Sequence, residues 1–186
     1  MPAIKQLAVP ADALLCTFRG GRHPELWNAY RDCYSVAIDG AVSLAQFVTA
    51  FYTTPLFRVE RWLLRMLPHG ASTDAEAAAV AAGTGERFAV WSVGARADSE
   101  LLMCDRYERT RSWFRAVPSN SGGRLQTVLY FGSAVATRRT PSGALRMGGG
   151  FSALLAFHRV YSRLLLGAAR RRLAAQRRLA AQRASG

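Results

Sequence analysis

The alternation of apolar and polar residues along the chain predicts an α+β fold built around an antiparallel sheet. Tyr34, Val36 and Ile38 alternate with smaller or polar neighbours, which is typical of a strand with one buried face. Four further strands are predicted in close succession, at 88–96, 100–105, 109–117 and 125–137. Because short turns join antiparallel neighbours, this succession predicts an antiparallel meander.

Two clear helices and a third, weakly amphipathic one are predicted between the first strand and the meander. Ser43 and Gln46 have the spacing of a capping box, and Thr54–Pro55 fits an N-cap followed by proline at the first helical position. Thr73 and Glu76 repeat the capping-box spacing before an alanine-rich segment. The second helix is expected to bury the face formed by Leu56, Val59, Leu63 and Met66 or Leu67.

A long helix is predicted to close the chain, starting near Phe151 after a basic, glycine-rich loop at 138–150. Its buried stripe is expected to consist of Phe151, Leu154, Leu155, His158, Tyr161, Leu165 and Ala168. This order of elements predicts a curved antiparallel sheet wrapped around the C-terminal helix, with two to three helices inserted after the first strand. The predicted organisation is an irregular segment at 1–30, a domain at 31–169 and an Arg-rich helical tail at 170–186.

The predicted sheet has one face suited to a ligand cavity. In the strand at 109–117, the face containing Arg111 and Trp113 is expected to meet solvent, whereas the opposite face is apolar with scattered hydroxyls. His158 has two interpretations, a basic group inside the cavity or a side chain that only forms a hydrogen bond with a neighbour. Asp105 also has two, a group that orients a ligand or a residue that only closes a turn. The candidate cavity residues are Phe51, Trp91, Thr110, Ser112, Phe114, Phe131 and His158.

Positive charge is concentrated towards the C-terminus. The formal net charge is +13, and residues 109–186 contain 15 arginines and no acidic residue. The sequence RRLAAQ occurs twice, at 171–176 and 177–182, and places arginines all around the helix. The tail is expected to project from the domain, either solvated or weakly bound to an anionic surface such as nucleic acid or phospholipid. The candidate anion-binding residues are Arg170, Arg171, Arg172, Arg177, Arg178 and Arg183.

Several classes of protein are disfavoured by the composition. Cys16, Cys33 and Cys104 are odd in number, widely spaced and without a CxxC pair, which argues against a disulfide framework or a zinc site. They favour a reducing compartment, and we expect the protein in the cytoplasm. The most apolar long segment, 151–169, contains a histidine and two arginines, so no transmembrane helix is predicted. No catalytic, metal-binding or cofactor-binding motif is recognised.

The layout resembles the START-like (SRPBCC, helix-grip) superfamily, in which a curved antiparallel sheet wraps a long C-terminal helix. The segments 51–57 (FYTTPLF) and 109–113 (RTRSW) are similar to uncharacterised bacterial families placed in that superfamily. The resemblance covers roughly residues 32–169. It implies a fold and an internal cavity but no chemistry, because the superfamily includes lipid carriers, hormone receptors, cyclases and oxygenase subunits.

The main hypothesis from the sequence is a non-enzymatic module that binds a small apolar or amphipathic ligand between the sheet and the C-terminal helix. A second hypothesis is a cyclase- or hydratase-like enzyme with Asp105 or His158 as general acid–base. A third is a protein that binds anionic surfaces through its basic tail.

Overall fold

Seven strands and five helices are found in the residues that the structure, a computed structural model, describes: 3–20, 30–66, 71–107, 109–135 and 149–184, with the side chains of the last helix from residue 157. The strands are β1 (Lys5–Gln6), β2 (Tyr30–Asp39), β3 (Arg87–Phe88), β4 (Trp91–Ala97), β5 (Glu100–Asp105), β6 (Thr110–Ser121) and β7 (Arg124–Val135). The helices are α1 (Leu14–Thr17), α2 (Leu44–Tyr52), α3 (Pro55–Leu64), α4 (Asp74–Ala82) and α5 (Gly149–Ala184).

The strands form one curved antiparallel sheet in the order β1-β2-β7-β6-β5-β4-β3. This confirms the predicted α+β class, the antiparallel meander and the long C-terminal helix. The predicted strand at 88–96 is two strands, β3 and β4, separated at Ala89, whose φ is 51°. The segment Ala13–Arg19 contains α1, and β1 and β3 are the two strands beyond the five predicted.

The hairpin between β6 and β7 is longer than predicted. Residues 118–123 were expected to form a loop, but β6 continues through Pro118 to Ser121, and Pro118 pairs with Thr127 of β7. The turn contains only Gly122 and Gly123, whose φ values are 59° and 75°. Two residues with positive φ make the tight turn that matches the twist of paired strands, so the pairing extends to the tip.

The start of each helix between β2 and β3 is set by the predicted caps. The Ser43 hydroxyl accepts a hydrogen bond from Gln46 N at 3.1 Å, and the Gln46 side chain accepts one from Ser43 N at 2.9 Å. Thr73 and Glu76 form the same reciprocal pair, and Thr54 accepts from Phe57 N at 3.2 Å. These local predictions are confirmed.

The predicted buried face of α3 is wrong. Phe57 and Arg61 are buried, whereas Val59 and Leu63 are 59% and 55% exposed. Arg61 is drawn inwards because its Nε donates to Ser72 Oγ at 3.1 Å and its Nη1 lies 2.5 Å from Asp74 Oδ1. These partners rotate α3 so that the face containing Val59 and Leu63 turns outwards.

The outer face of the sheet is covered, so the prediction that Arg111 and Trp113 face solvent is wrong. Both side chains are buried, at 2% and 0% exposure. Leu15 of α1 packs in the same hydrophobic cluster as Trp113, and Trp113 Nε1 donates to Glu100 Oε2 at 2.7 Å. Arg111 Nη2 donates to Gly20 O at 3.0 Å. The N-terminal segment thus forms a second, smaller core on this face.

The inner face of the sheet packs against α2, α4 and α5 and forms the larger core. Aromatic rings from α2 and the central strands meet there, with centroid distances of 4.9 Å for Phe51–Phe114 and 4.6 Å for Phe51–Phe131. Such offset and edge-to-face pairs add about 0.5–1.5 kcal/mol each beyond their burial. Helix α2 therefore lies over the centre of the sheet, and α5 packs against α2 and β2.

Helix α5 remains packed beyond the predicted end of its stripe. Ala169 and Leu173 are 0% and 3% exposed, so the prediction that the stripe ends at Ala168 is wrong. Arg170 Nε donates to Ala37 O at 3.1 Å, and Arg177 Nη1 donates to Asp39 O at 2.5 Å. The carbonyls at the end of β2 thus hold the helix against the sheet, and every described residue from 175 onwards is exposed. The predicted stripe residues Phe151, Leu154 and Leu155 lie outside the described side chains, and positions 138–148 of the predicted loop lie outside the described residues.

Candidate functional site: a cavity between the sheet and three helices

A cavity of about 690 Å³ lies between the inner face of the sheet and helices α2, α3 and α5. Small-molecule sites usually have volumes of about 300–1,000 Å³ and a mostly apolar wall. The wall here is formed mainly by aromatic and aliphatic side chains, which include Phe51, Leu56, Phe57, Trp91, Phe131 and Leu165. The arrangement is suited to a mostly apolar molecule of moderate size.

Six of the seven candidate cavity residues lie in this wall. They are Phe51, Trp91, Thr110, Ser112, Phe131 and His158. The seventh, Phe114, is fully buried and packs against Phe51 rather than lining the cavity. Alternation along β6 brings Thr110 and Ser112 to the inner face, as the sequence pattern predicted.

The cavity opens between α3 and α5. Val59 and Leu63 of α3 and Phe157 and Leu164 of α5 line the cavity and are more than half exposed. Phe157 stacks on Tyr161, with ring centroids 5.6 Å apart and planes inclined by 11°. The rotation of α3 that turns Val59 and Leu63 outwards therefore also places them at this opening.

A group of polar side chains on the sheet side connects His158 to a buried carboxylate. Asp32 and Ser133 are neighbours across β2 and β7, and Ser133 Oγ donates to Asp32 Oδ1 at 2.6 Å. The same hydroxyl lies 2.6 Å from His158 Nε2. The Ser133 hydroxyl has a single proton and donates it in the hydrogen bond to Asp32. In its contact with His158 the hydroxyl oxygen is therefore the acceptor, so the imidazole carries a proton on Nε2. His158 therefore bonds a neighbour and also lines the cavity.

A second polar group, on the helix side, was not identified from the sequence. Tyr161 OH donates to Glu60 Oε2. Burial raises the pKa of Glu60, and the bond from Tyr161 offsets part of that increase. Glu60 lies one helical turn after Leu56 and interrupts the apolar face predicted for α3. This interruption of an apolar face by a carboxylate was the signal in the sequence that could have identified the group.

Two further hydroxyls on the helix side lack a hydrogen-bond partner within the described part of the chain. Tyr52 OH and Ser162 Oγ are buried and unpaired, and both residues line the cavity. Burial and the nearby Glu60 raise the pKa of Tyr52 well above its usual value. Both oxygens are enclosed by protein atoms, so each carries the cost of a buried hydroxyl without a partner, about 1–3 kcal/mol.

Asp105 does not line the cavity. Its Oδ1 accepts from Arg109 N at 2.7 Å and its Oδ2 accepts from Thr110 Oγ1 at 3.0 Å. Asp105 therefore closes the turn between β5 and β6, which was the simpler of its two interpretations.

The candidate anion-binding arginines divide into two groups. Arg170 and Arg177 donate to backbone carbonyls of this chain at the end of β2. Arg171, Arg178 and Arg183 are exposed, and Arg172 is partly buried. The exposed members remain available to an external partner.

Neither a family model, nor a curated protein, nor a solved structure matches this chain. The described residues contain no helix that is long and apolar enough to cross a membrane. They also contain no group of three or more histidine, cysteine, aspartate or glutamate side chains arranged to hold a metal ion.

Proposed function

We propose that this protein is a START-like module of helix-grip type that binds a small apolar or amphipathic ligand in the cavity. The observation that carries the proposal is the cavity of about 690 Å³ with an apolar wall and two separate polar groups. The two segments that resemble the superfamily, 51–57 and 109–113, both contribute side chains to this wall. An amphipathic molecule matches such a wall because its apolar part replaces water and its polar end finds hydrogen bonds.

Native mass spectrometry of the protein purified from cells tests this proposal. We expect a co-purifying mass, and we expect decanol to displace anilinonaphthalene sulfonate from the delipidated protein. Ser112→Phe fills the cavity from β6 and should weaken decanol binding by about tenfold or more, equivalent to about 1.4 kcal/mol.

Ser121→Phe is the matched control, because Ser121 is exposed at the end of the same strand and does not line the cavity. It should leave decanol binding unchanged. The proposal would be abandoned if no ligand co-purified and decanol did not bind, or if both variants bound decanol like the natural protein.

A second candidate function is a cyclase- or hydratase-like enzyme that uses His158. The observation in its favour is the position of His158 in the cavity wall with Nε2 held by Ser133 and, through it, Asp32. Protonation at Nε2 makes Nδ1 the basic nitrogen of a neutral ring, as general-base catalysis requires. Ser133 is not an activated nucleophile in this arrangement, because its proton is donated to Asp32.

The enzymatic alternative is tested by incubating the protein with a metabolite extract. Turnover by His158 predicts that the natural protein depletes a metabolite and that His158→Gln, which still folds and binds decanol, does not. Identical depletion by both proteins, or none by either, would rule out catalysis by His158.

A third candidate function, binding of an anionic surface, depends on the exposed arginines of α5, which include Arg171, Arg178 and Arg183. We propose a weak, sequence-independent contact with nucleic acid or phospholipid, because a single helix with charge on all sides has no scaffold for base readout. The cytoplasm remains our proposed location, supported by the three free cysteines.

A further inference from the structure

Glu60 is a carboxylate in the cavity wall without a positive counter-ion among the described residues. Its hydrogen bond comes from the neutral hydroxyl of Tyr161. Arg111 also borders the cavity, but its Nη2 donates to Gly20 O at 3.0 Å and its guanidinium lies 4.9 Å from the ring centroid of Phe18, on the opposite face of the sheet. A partly buried carboxylate in this position is stabilised either by a proton or by a cation that enters the cavity.

The unpaired hydroxyls of Tyr52 and Ser162 lie in the same helix-side wall as Glu60. Ser162 follows Tyr161 in α5, and Tyr52 is close enough to Glu60 for the carboxylate to affect its pKa. The exposed fractions of Tyr52 and Ser162 are 2% and 1%, so solvent does not satisfy either hydroxyl. Both hydroxyl oxygens are enclosed by protein atoms on the cavity side as well, so the polar group that a ligand can reach at this wall is the partly exposed Glu60 carboxylate.

Aromatic rings line the same cavity as Glu60. Tyr52 and Phe57 have ring centroids 4.9 Å apart, and Phe57 and Trp91 have centroids 5.8 Å apart. All three residues line the cavity. Aromatic faces attract a desolvated cation, and that attraction adds to the attraction of a carboxylate.

We propose that the ligand is an amphipathic primary amine, whose ammonium group binds Glu60 while its hydrocarbon part fills the cavity. This inference rests on the proposed ligand-binding function and specifies its chemistry. An ammonium group donates an N–H to the Glu60 carboxylate and supplies the positive counter-ion that the described residues lack there. An alcohol would leave the carboxylate without a counter-ion, and a carboxylic acid would place a second negative charge beside Glu60.

Isothermal titration at pH 7 with decylamine, decanol and decanoate, each below its micelle concentration, tests the inference. Charge-assisted hydrogen bonds should make decylamine bind about tenfold or more tightly than decanol, with decanoate the weakest of the three. Glu60→Gln should weaken decylamine binding by about tenfold and change decanol binding by less than about threefold.

Glu86→Gln is the matched control, because it removes the same charge from an exposed side chain that does not line the cavity. It should leave the affinities for all three probes unchanged. Glu60→Asp is a second variant that keeps the negative charge, and it should retain more of the decylamine affinity than Glu60→Gln does. If Glu60→Gln does not fold, the comparison of decylamine with decanol on the natural protein carries the test.

The possible results separate the two proposals. If decanol binds as tightly as decylamine, or if Glu60→Gln leaves decylamine binding unchanged, the amine inference is overturned and the apolar-ligand function stands. If none of the three probes binds the natural protein, the apolar-ligand function itself is overturned.

Discussion

The two copies of the sequence RRLAAQ in α5 place one leucine in the core and its counterpart in solvent. Leu173 is 3% exposed and belongs to the inner core, whereas Leu179 is 54% exposed. Both leucines have the same neighbours in sequence and lie in the same helix, so the change in helix propensity on replacement by alanine is the same. The difference between Leu173→Ala and Leu179→Ala therefore measures tertiary packing.

The expected size of this difference follows from burial. Replacing a buried leucine by alanine removes its transfer free energy and leaves a cavity, at a cost of about 2–5 kcal/mol. Leu173 is in the last buried turn of α5, where the end of the helix can settle inwards, so we expect about 2–3 kcal/mol. In a chain of 186 residues, this loss lowers the Tm by about 4–12 °C. Leu179→Ala should change the free energy of unfolding by less than about 0.5 kcal/mol.

Urea unfolding followed by circular dichroism, with the two variants measured beside the natural protein, gives both free energies. The m-values should agree, so that a difference in midpoint reflects stability alone. Equally small effects of the two substitutions would refute the docking of α5 against β2 beyond Ala169. Equally large effects would show that the second copy of the repeat is packed as well.

Three further predictions concern Glu60, Glu100 and the exposed arginines. Burial raises the pKa of Glu60 above its ordinary 4.5, so the folded state binds this proton more tightly than the unfolded state. The ionised carboxylate therefore lowers the free energy of unfolding increasingly as the pH rises through the folded-state pKa. Glu60→Gln should therefore raise the Tm of the ligand-free protein more at pH 8 than at pH 5; an equal change at both would contradict the burial argument. Glu100 Oε2 accepts from Trp113 Nε1 at 2.7 Å and from Leu14 N at 2.8 Å. Glu100→Ala should therefore lower the free energy of unfolding, measured in urea, by about 2–4 kcal/mol. Glu100→Gln keeps an acceptor and should lower it by less than half as much. If the tail binds duplex DNA, replacing Arg171, Arg178 and Arg183 by glutamine should leave the Tm unchanged and make the log–log salt dependence shallower by about 3. Salt-insensitive binding by the natural protein would favour a solvated tail.

The features predicted correctly from the sequence depend on residues close together in the chain. The caps at Ser43, Thr54 and Thr73 each involve a partner three residues away, so their geometry is contained in the sequence itself. The alternation in β2 and β6 determines which residues share a face, and the succession of strands determines the antiparallel meander. This local information was enough for the α+β class, the curved antiparallel sheet and six of the residues in the cavity wall.

Which face of an element is buried depended on partners far away in the chain. The second face of β6 is covered by the N-terminal segment, and Arg111 reaches Gly20, 91 residues earlier. The rotation of α3 about its axis is determined by the hydrogen bonds of Arg61 with Ser72 and Asp74, which lie beyond the end of the helix. Periodicity defines the faces of an element, but it contains no information about which distant segment will cover each of them.

The polar groups of the cavity depended on the tertiary structure in the same way. Asp32 meets Ser133 across 101 residues, and Tyr161 meets Glu60 across 101 residues, through a strand register and a helix orientation that no local pattern specifies. The leucines of the repeat show the limit of sequence information most directly, because their hexapeptides are the same. Leu173 is buried and Leu179 is exposed because α5 extends past the end of β2 at a point between these two leucines. Only the path of the helix across the sheet determines where that point falls.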